Sequence, residues 1–272
     1  MKVTDWLTLQ ARGNLDHSAD KLRQKFYAST ATALCGMNGR YIEMDYQETQ
    51  MYGDVMAMVK KQLNDFTLDV AIGGSINDRI TNSTRIDSKN ASLKYANVFN
   101  LANIVMSSSA SIDQKIDAHY QLQSVFATAQ IGYKEGVFLD LTARNDWSST
   151  LAYTKYEKKG FFYPSVGVSF LPDKWVKMPE WVSFSKLRGA YSIVGNGVPP
   201  FITYPVSYVT AGGEILASDA APFAEMKPEM THSVELGMEW KFLQHRLGLN
   251  LTYYRTDTYE QFFKLPALAG DK

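Results

Sequence analysis

The chain has a single cysteine, Cys35, among 272 residues. One thiol excludes an internal disulfide framework and any multi-cysteine zinc site, and a lone thiol reads as an inert small residue. There is no net charge either, because 28 Lys and Arg balance 28 Asp and Glu. A nucleic-acid partner is thereby disfavoured, since such proteins carry a basic face. No apolar run reaches the ~18–20 residues of a membrane-spanning helix. The opening MKVTDWLTLQARGNL has no apolar core of a secretory signal. Motifs of catalysis are missing as well: no G-x-S-x-G, no H-E-x-x-H and no glycine-rich phosphate loop. The four histidines (His17, His119, His232, His245) are scattered, and no spacing selects a carboxylate pair for glycoside hydrolysis. The expectation is a protein that is not an enzyme and that uses no metal or cofactor.

What is present is a period of two. In THSVELGMEWKF, Val234, Leu236, Met238, Trp240 and Phe242 fall on one face and Ser233, Glu235, Gly237, Glu239 and Lys241 on the other. Strict alternation marks a strand whose faces meet different solvents. The pattern resumes in RLGLNLTYYRTD after a tight polar link, so the two runs predict an antiparallel hairpin. It recurs around residues 66–73, 125–133, 137–144, 162–170 and 187–193. A strand at 7–11 and a less regular one at 50–61 bring the total to about nine.

The connections alternate in length. Tight links at 62–65, 134–136 and 243–245 and a compact one at 171–182 face long or medium ones at 16–44, 77–117, 148–160 and 196–230. Residues 79–100 read as polar loop, Gly195, Asn196 and Gly197 as a turn, and Lys227, Pro228 and Glu229 as the re-entry of a strand. One helical turn is expected after Pro172. Short turns at one end and long loops at the other are the habit of an outer-membrane barrel.

Alternation alone leaves two readings open: an apolar face against a soluble core, or against lipid. Ionisable residues in mid-strand favour lipid on the other face. They are Asp69, Asp140, Arg144, Asp146, Lys186, Arg188, Glu235 and Glu239, the expected lumen-facing set. Aromatics near strand ends (Trp6, Tyr133, Trp147, Phe162, Phe170, Trp240, Tyr253) occupy girdle positions. Arg144 and Asp146 read either as a ladder gripping an inner domain or as ordinary pairing on a wet wall, worth ~0–1 kcal/mol. In the long loops Tyr204, Tyr208 and Phe223 are candidates to stack on a ligand, against the alternative that they pack the loops. A soluble all-β carbohydrate-binding module is the competing reading.

Four stretches occur in a fixed order: VFLDLTARNDWSSTL, FFYPSVGVSFLPD, SFSKLRGAYSIVGN and MKPEMTHSVELGMEWKFLQHRLGLNLTYYRTDT, with NVFNLAN upstream. Together they resemble the barrel of SusC/RagA-type TonB-dependent outer-membrane transporters of Bacteroidetes. The resemblance implies an antiparallel transmembrane β-barrel, here about nine strands of a 22-stranded barrel. It implies residence in the cell outer membrane and contact with its lipids. It implies a SusD-like surface lipoprotein as lid, and TonB–ExbB–ExbD acting through a plug domain. The substrate would be an oligosaccharide or a peptide. Neither a plug nor a terminal aromatic strand is found, so residues 1–272 are expected to be a barrel fragment.

Overall fold

The computed structural model describes residues 1–89, 93–105, 111–204, 207–209, 215–216 and 223–263. Nine long strands form one antiparallel sheet in chain order: β1 (Leu7–Phe26), β2 (Arg40–Leu63), β3 (Phe66–Asp87), β4 (Ser111–Tyr133), β5 (Val137–Ser148), β6 (Phe161–Phe170), β7 (Val182–Asn196), β10 (Glu229–Phe242) and β11 (Leu247–Tyr259). A two-residue ribbon, β8 (Tyr208–Val209) with β9 (Ile215–Leu216), lies apart. Among the described residues the sheet is open, with β1 and β11 at its edges.

The tight turns are where the alternation breaks. Asn64, Lys134, Glu135, Leu243, Gln244 and His245 take positive φ, as a chain reversing in two to four residues requires. A single 3-10 turn, Pro172–Lys174, sits at the same end. Lys227 and Pro228 lead into β10 at Glu229.

Three expectations change. The long connections at 16–44 and 77–117 are mostly strand: β1 runs on to Phe26, β2 begins at Arg40, β3 ends at Asp87 and β4 begins at Ser111. Residues 79–87 are therefore strand rather than loop, and a 3-10 turn, Leu101–Asn103, follows beyond the loop. The physical reason is that these outer halves carry polar residues on both faces, so hydrophobic alternation stops while backbone pairing continues. Gly195 and Asn196 end β7 rather than form a turn. Glycine is needed at 195 for close approach, since a Cβ there would lie 2.2 Å from the Tyr163 ring.

The buried apolar residues do not lie behind the sheet. They form two small clusters at its loop end: Tyr41, Leu93 and Ile104, and Leu151, Phe161, Val198 and Met226. Mid-strand aliphatics such as Leu141, Val168, Leu187, Leu236 and Leu251 are exposed. A soluble binding module would bury these side chains, so that competing reading fails here.

Candidate functional site

The register assigns every strand residue to a face. One row of cross-strand partners reads Leu7, Val59, Val70, Ala129, Leu141, Val166, Tyr191, Val234, and ends at Arg255 on the edge strand β11. The next row, on the opposite face, reads Lys60, Asp69, Gln130, Asp140, Gly167, Ala190, Glu235. The sheet thus has one apolar and one polar side through its lower half.

All eight predicted ionisable residues share the polar face. Asp69 pairs with Lys60 at 3.4 Å and Gln130 Nε2 donates to Asp140 at 2.7 Å. Arg144 Nε donates to Asp146 Oδ1 at 2.7 Å and its Nη2 to Ser124 Oγ at 2.8 Å. Arg188 reaches Glu235 at 3.1 Å. Lys186 stands opposite Glu239, which pairs with Lys241 at 3.3 Å. Sequence reasoning missed Arg12 and Asp54, joined by two bonds from Arg12 Nε at 3.0 and 3.1 Å. Asp54 is wholly covered. Its signal was hidden because TQMYGDVMAMV alternates weakly.

The apolar face carries aromatics at the turn end. Phe66 and Tyr133 meet at 4.7 Å, Tyr133 and Trp175 at 5.5 Å, and Trp181 stacks on Phe242 at 5.6 Å. Trp147 marks the other end on β5. The stretch between, Val137 to Trp147, has the ~9–11 residues a tilted membrane strand needs. Amphipathic rings at both limits of an apolar band match the two headgroup levels. No helix among the described residues is long and apolar enough to cross a membrane.

Beyond Trp147 the first four strands continue as a blade, braced by charge. Glu43 accepts from Lys21 at 2.7 Å, Tyr41 Oη at 2.5 Å and Arg23 at 3.1 Å, which together hold its carboxyl at about 2. Asp87 is 1% exposed: burial raises its pKa, but bonds from Arg40 and Lys89 N–H and the charges of Arg40 and Arg85 bring it below the usual value. At the tip, NVFNLAN is a stapled loop. Asn103 Oδ1 accepts from Tyr95 N at 2.9 Å, and its Nδ2 donates to Tyr95 O at 2.8 Å and Val98 O at 2.7 Å. Asn97 caps Ala28 N at 2.8 Å and Phe99 meets Tyr27 edge-on at 5.1 Å.

The loop aromatics separate. Tyr204 stands beside Tyr153, ring centroids 4.8 Å apart. Phe223 is tied to the same place by its N–H, which donates to Thr203 O at 3.3 Å. The Tyr208 backbone lies in β8, and its side chain falls outside the described residues.

Known proteins agree with this architecture. The chain is 26% identical over 156 residues to TonB-dependent receptor P3 of Formosa agariphila, matching 54% of this chain and 15% of the relative. The structure of the RagAB peptide transporter superposes with a TM-score of 0.79 over 97% of this chain and 30% of its own, at 18% identity. The ferric-catecholate import receptor Fiu of E. coli K12 superposes with a TM-score of 0.52, covering 94% of this chain and 39% of its own, at 11% identity. This chain therefore spans under two-fifths of the length of each of these relatives. The family model described as TonB dependent receptor-like, beta-barrel matches residues 2–271. With nearly the whole chain covered and the two-faced sheet in view, the chain belongs to that family of outer-membrane β-barrel proteins.

Proposed function

We propose that this chain forms a section of barrel wall in a SusC/RagA-type importer that takes up oligosaccharides or peptides across the outer membrane. The observation that carries the reading is the pairing of an exposed aliphatic face, bounded by aromatics, with a face laddered by ion pairs. The aliphatic face meets lipid, and Asp69, Asp140, Arg144, Asp146, Lys186, Arg188, Glu235 and Glu239 face the lumen. Charges on the lumen side keep the wall wet and give an inner domain polar handles. Uptake would be driven by TonB–ExbB–ExbD through a plug, under a SusD-like surface lipoprotein as lid. Likeness to a peptide transporter supports the two-component arrangement in outline.

Deletion of the gene in its native bacterium tests this. Uptake of fluorescent oligosaccharides and peptides is followed with and without a protonophore. Energy-dependent uptake that disappears with the gene is expected. Uptake unchanged by deletion, or indifferent to the protonophore, would overturn the reading.

A further inference from the structure

Tyr153 is an unusual residue. It takes φ 65°, a left-handed conformation that is strained for a non-glycine residue. It is also 72% exposed, so the ring packs little of its own loop. Both neighbours are pinned. The carbonyl of Ala152 accepts from Thr203 Oγ1 at 3.0 Å, and Thr154 is buried with its hydroxyl on Leu151 O at 2.7 Å.

Tyr204 is held from the other side. It follows Thr203, which is 4% exposed and joins residues 149–154 to Phe223. The bond from Thr203 to Ala152 therefore brings the chain segments that carry the two tyrosines together. Tyr204 is 53% exposed and Phe223 is exposed as well. Leu151, two residues before Tyr153, belongs to the buried apolar cluster with Phe161, Val198 and Met226, against which Ile202, two residues before Tyr204, also packs. An exposed aromatic pair, one member of which has a strained backbone, is a poor way to pack a loop and a good way to present flat apolar surface.

The chemistry at the rim narrows the ligand. Glu157 Oε2 accepts Tyr153 N–H at 3.2 Å, placing a carboxylate beside the platform. Lys155 pairs with Glu225 and Lys227 with Glu260 at 3.0 Å, while Lys159 lies over the Tyr156 and Phe161 rings. The patch offers aromatic faces, phenol hydroxyls and a carboxylate that accepts hydroxyl donors, with Lys155 and Lys227 turned to partners of their own. We infer that Tyr153, Tyr204 and Glu157, with Phe223 at the margin, form an extracellular subsite for a neutral sugar ring. The apolar face of a pyranose would lie on a tyrosine while its hydroxyls donate to Glu157 and exchange bonds with the phenols.

The inference rests on the uptake reading, and one experiment separates the two. Y153A, Y204A and Y153W are placed in the native chromosomal gene, with surface amounts verified. Binding and uptake are measured for a panel of fluorescent neutral glycans (α-1,4-, β-1,4- and β-1,3-glucans, mannan and xylan) and for a labelled casein digest. About a tenfold loss of glycan binding in both alanine variants is expected, the equivalent of ~1.4 kcal/mol. Y153W should retain binding, because it keeps a flat ring. If gene deletion abolishes glycan uptake but neither alanine variant moves it, the subsite is wrong and the importer stands. If the alanine variants depress only the casein digest, or wild-type cells bind no glycan of the panel, the sugar assignment is wrong. If deletion changes nothing, the importer reading itself has failed.

Discussion

Leu141→Arg is the most direct probe of which face meets lipid. Leu141 lies on the apolar face of β5, between Ala129 and Val166. It is four residues above Val137 along the strand. At ~3.4 Å per residue and a tilt of ~40° that is ~10 Å above the turn-side limit. An apolar band ~25 Å tall then puts Leu141 close to its midplane, where arginine costs ~2–4 kcal/mol. A loss of that size shifts the ratio of folded to unfolded barrel by ~30- to 1,000-fold. The matched control is Asp140→Asn, one residue away on the opposite face. Its carboxylate has one exposed bond, from Gln130, so the change should stay within ~0.5 kcal/mol. Urea titration of outer-membrane fractions, with heat-modifiable mobility as the readout of folded barrel, compares the two. Equal stability of Leu141→Arg and Asp140→Asn would refute the assignment of faces. A large loss in Asp140→Asn alone would place that carboxylate in a buried hydrogen-bond network instead.

Other outcomes follow from the loops and the blade. Asn103→Ala removes the three bonds that staple the tip, and hydrogen exchange in residues 93–104 should show local opening made easier by ~1–3 kcal/mol while the membrane segments stay protected. Glu43 has a depressed pKa, so its stabilisation is present above its ordinary pKa of 4.5 and is lost as pH falls towards about 2. Protection at the outer ends of β1 and β2 should therefore hold from pH 7 to 5 and fall on stronger acidification, and Glu43→Gln should remove that dependence. Gly195→Ala drives a Cβ into the Tyr163 ring and should cost ~1–3 kcal/mol, partly recovered by adding Tyr163→Leu; no cost in thermal unfolding would mean the ring is free to move.

Strand positions were legible wherever two solvents act on one strand. THSVELGMEWKF and VFLDLTAR alternate because their two faces meet different surroundings, and the face of each residue could be read from that. The outer halves of β1 to β4 were illegible for the same reason reversed: NLDHSADKLRQ carries polar residues on both faces, and no period survives. The shared polar face of Asp140, Arg144 and Asp146 could be read from spacing on one strand. The link between Arg12 and Asp54 could not, because it joins positions 42 residues apart through register alone. Tyr204 and Phe223 were legible as exposed aromatics in a long loop. Tyr153 was passed over, since nothing in LAYTKYEKKG signals that its backbone is left-handed or that Thr203 brings Tyr204 to it.

The blade has a mechanical meaning. β2 is 24 residues long, ~80 Å if fully extended at ~3.4 Å per residue, and it is paired on both sides for most of that length. The β3–β4 ladder shifts register once, between Thr81 and Asn82, and otherwise runs unbroken from the turn end to Asp87. A hinge needs a place where hydrogen bonds can be released cheaply, and here almost every one is part of a ladder shared by four strands. Force applied at the stapled tip should therefore travel as bending of one stiff beam into the wall of the barrel, rather than be absorbed by a loop.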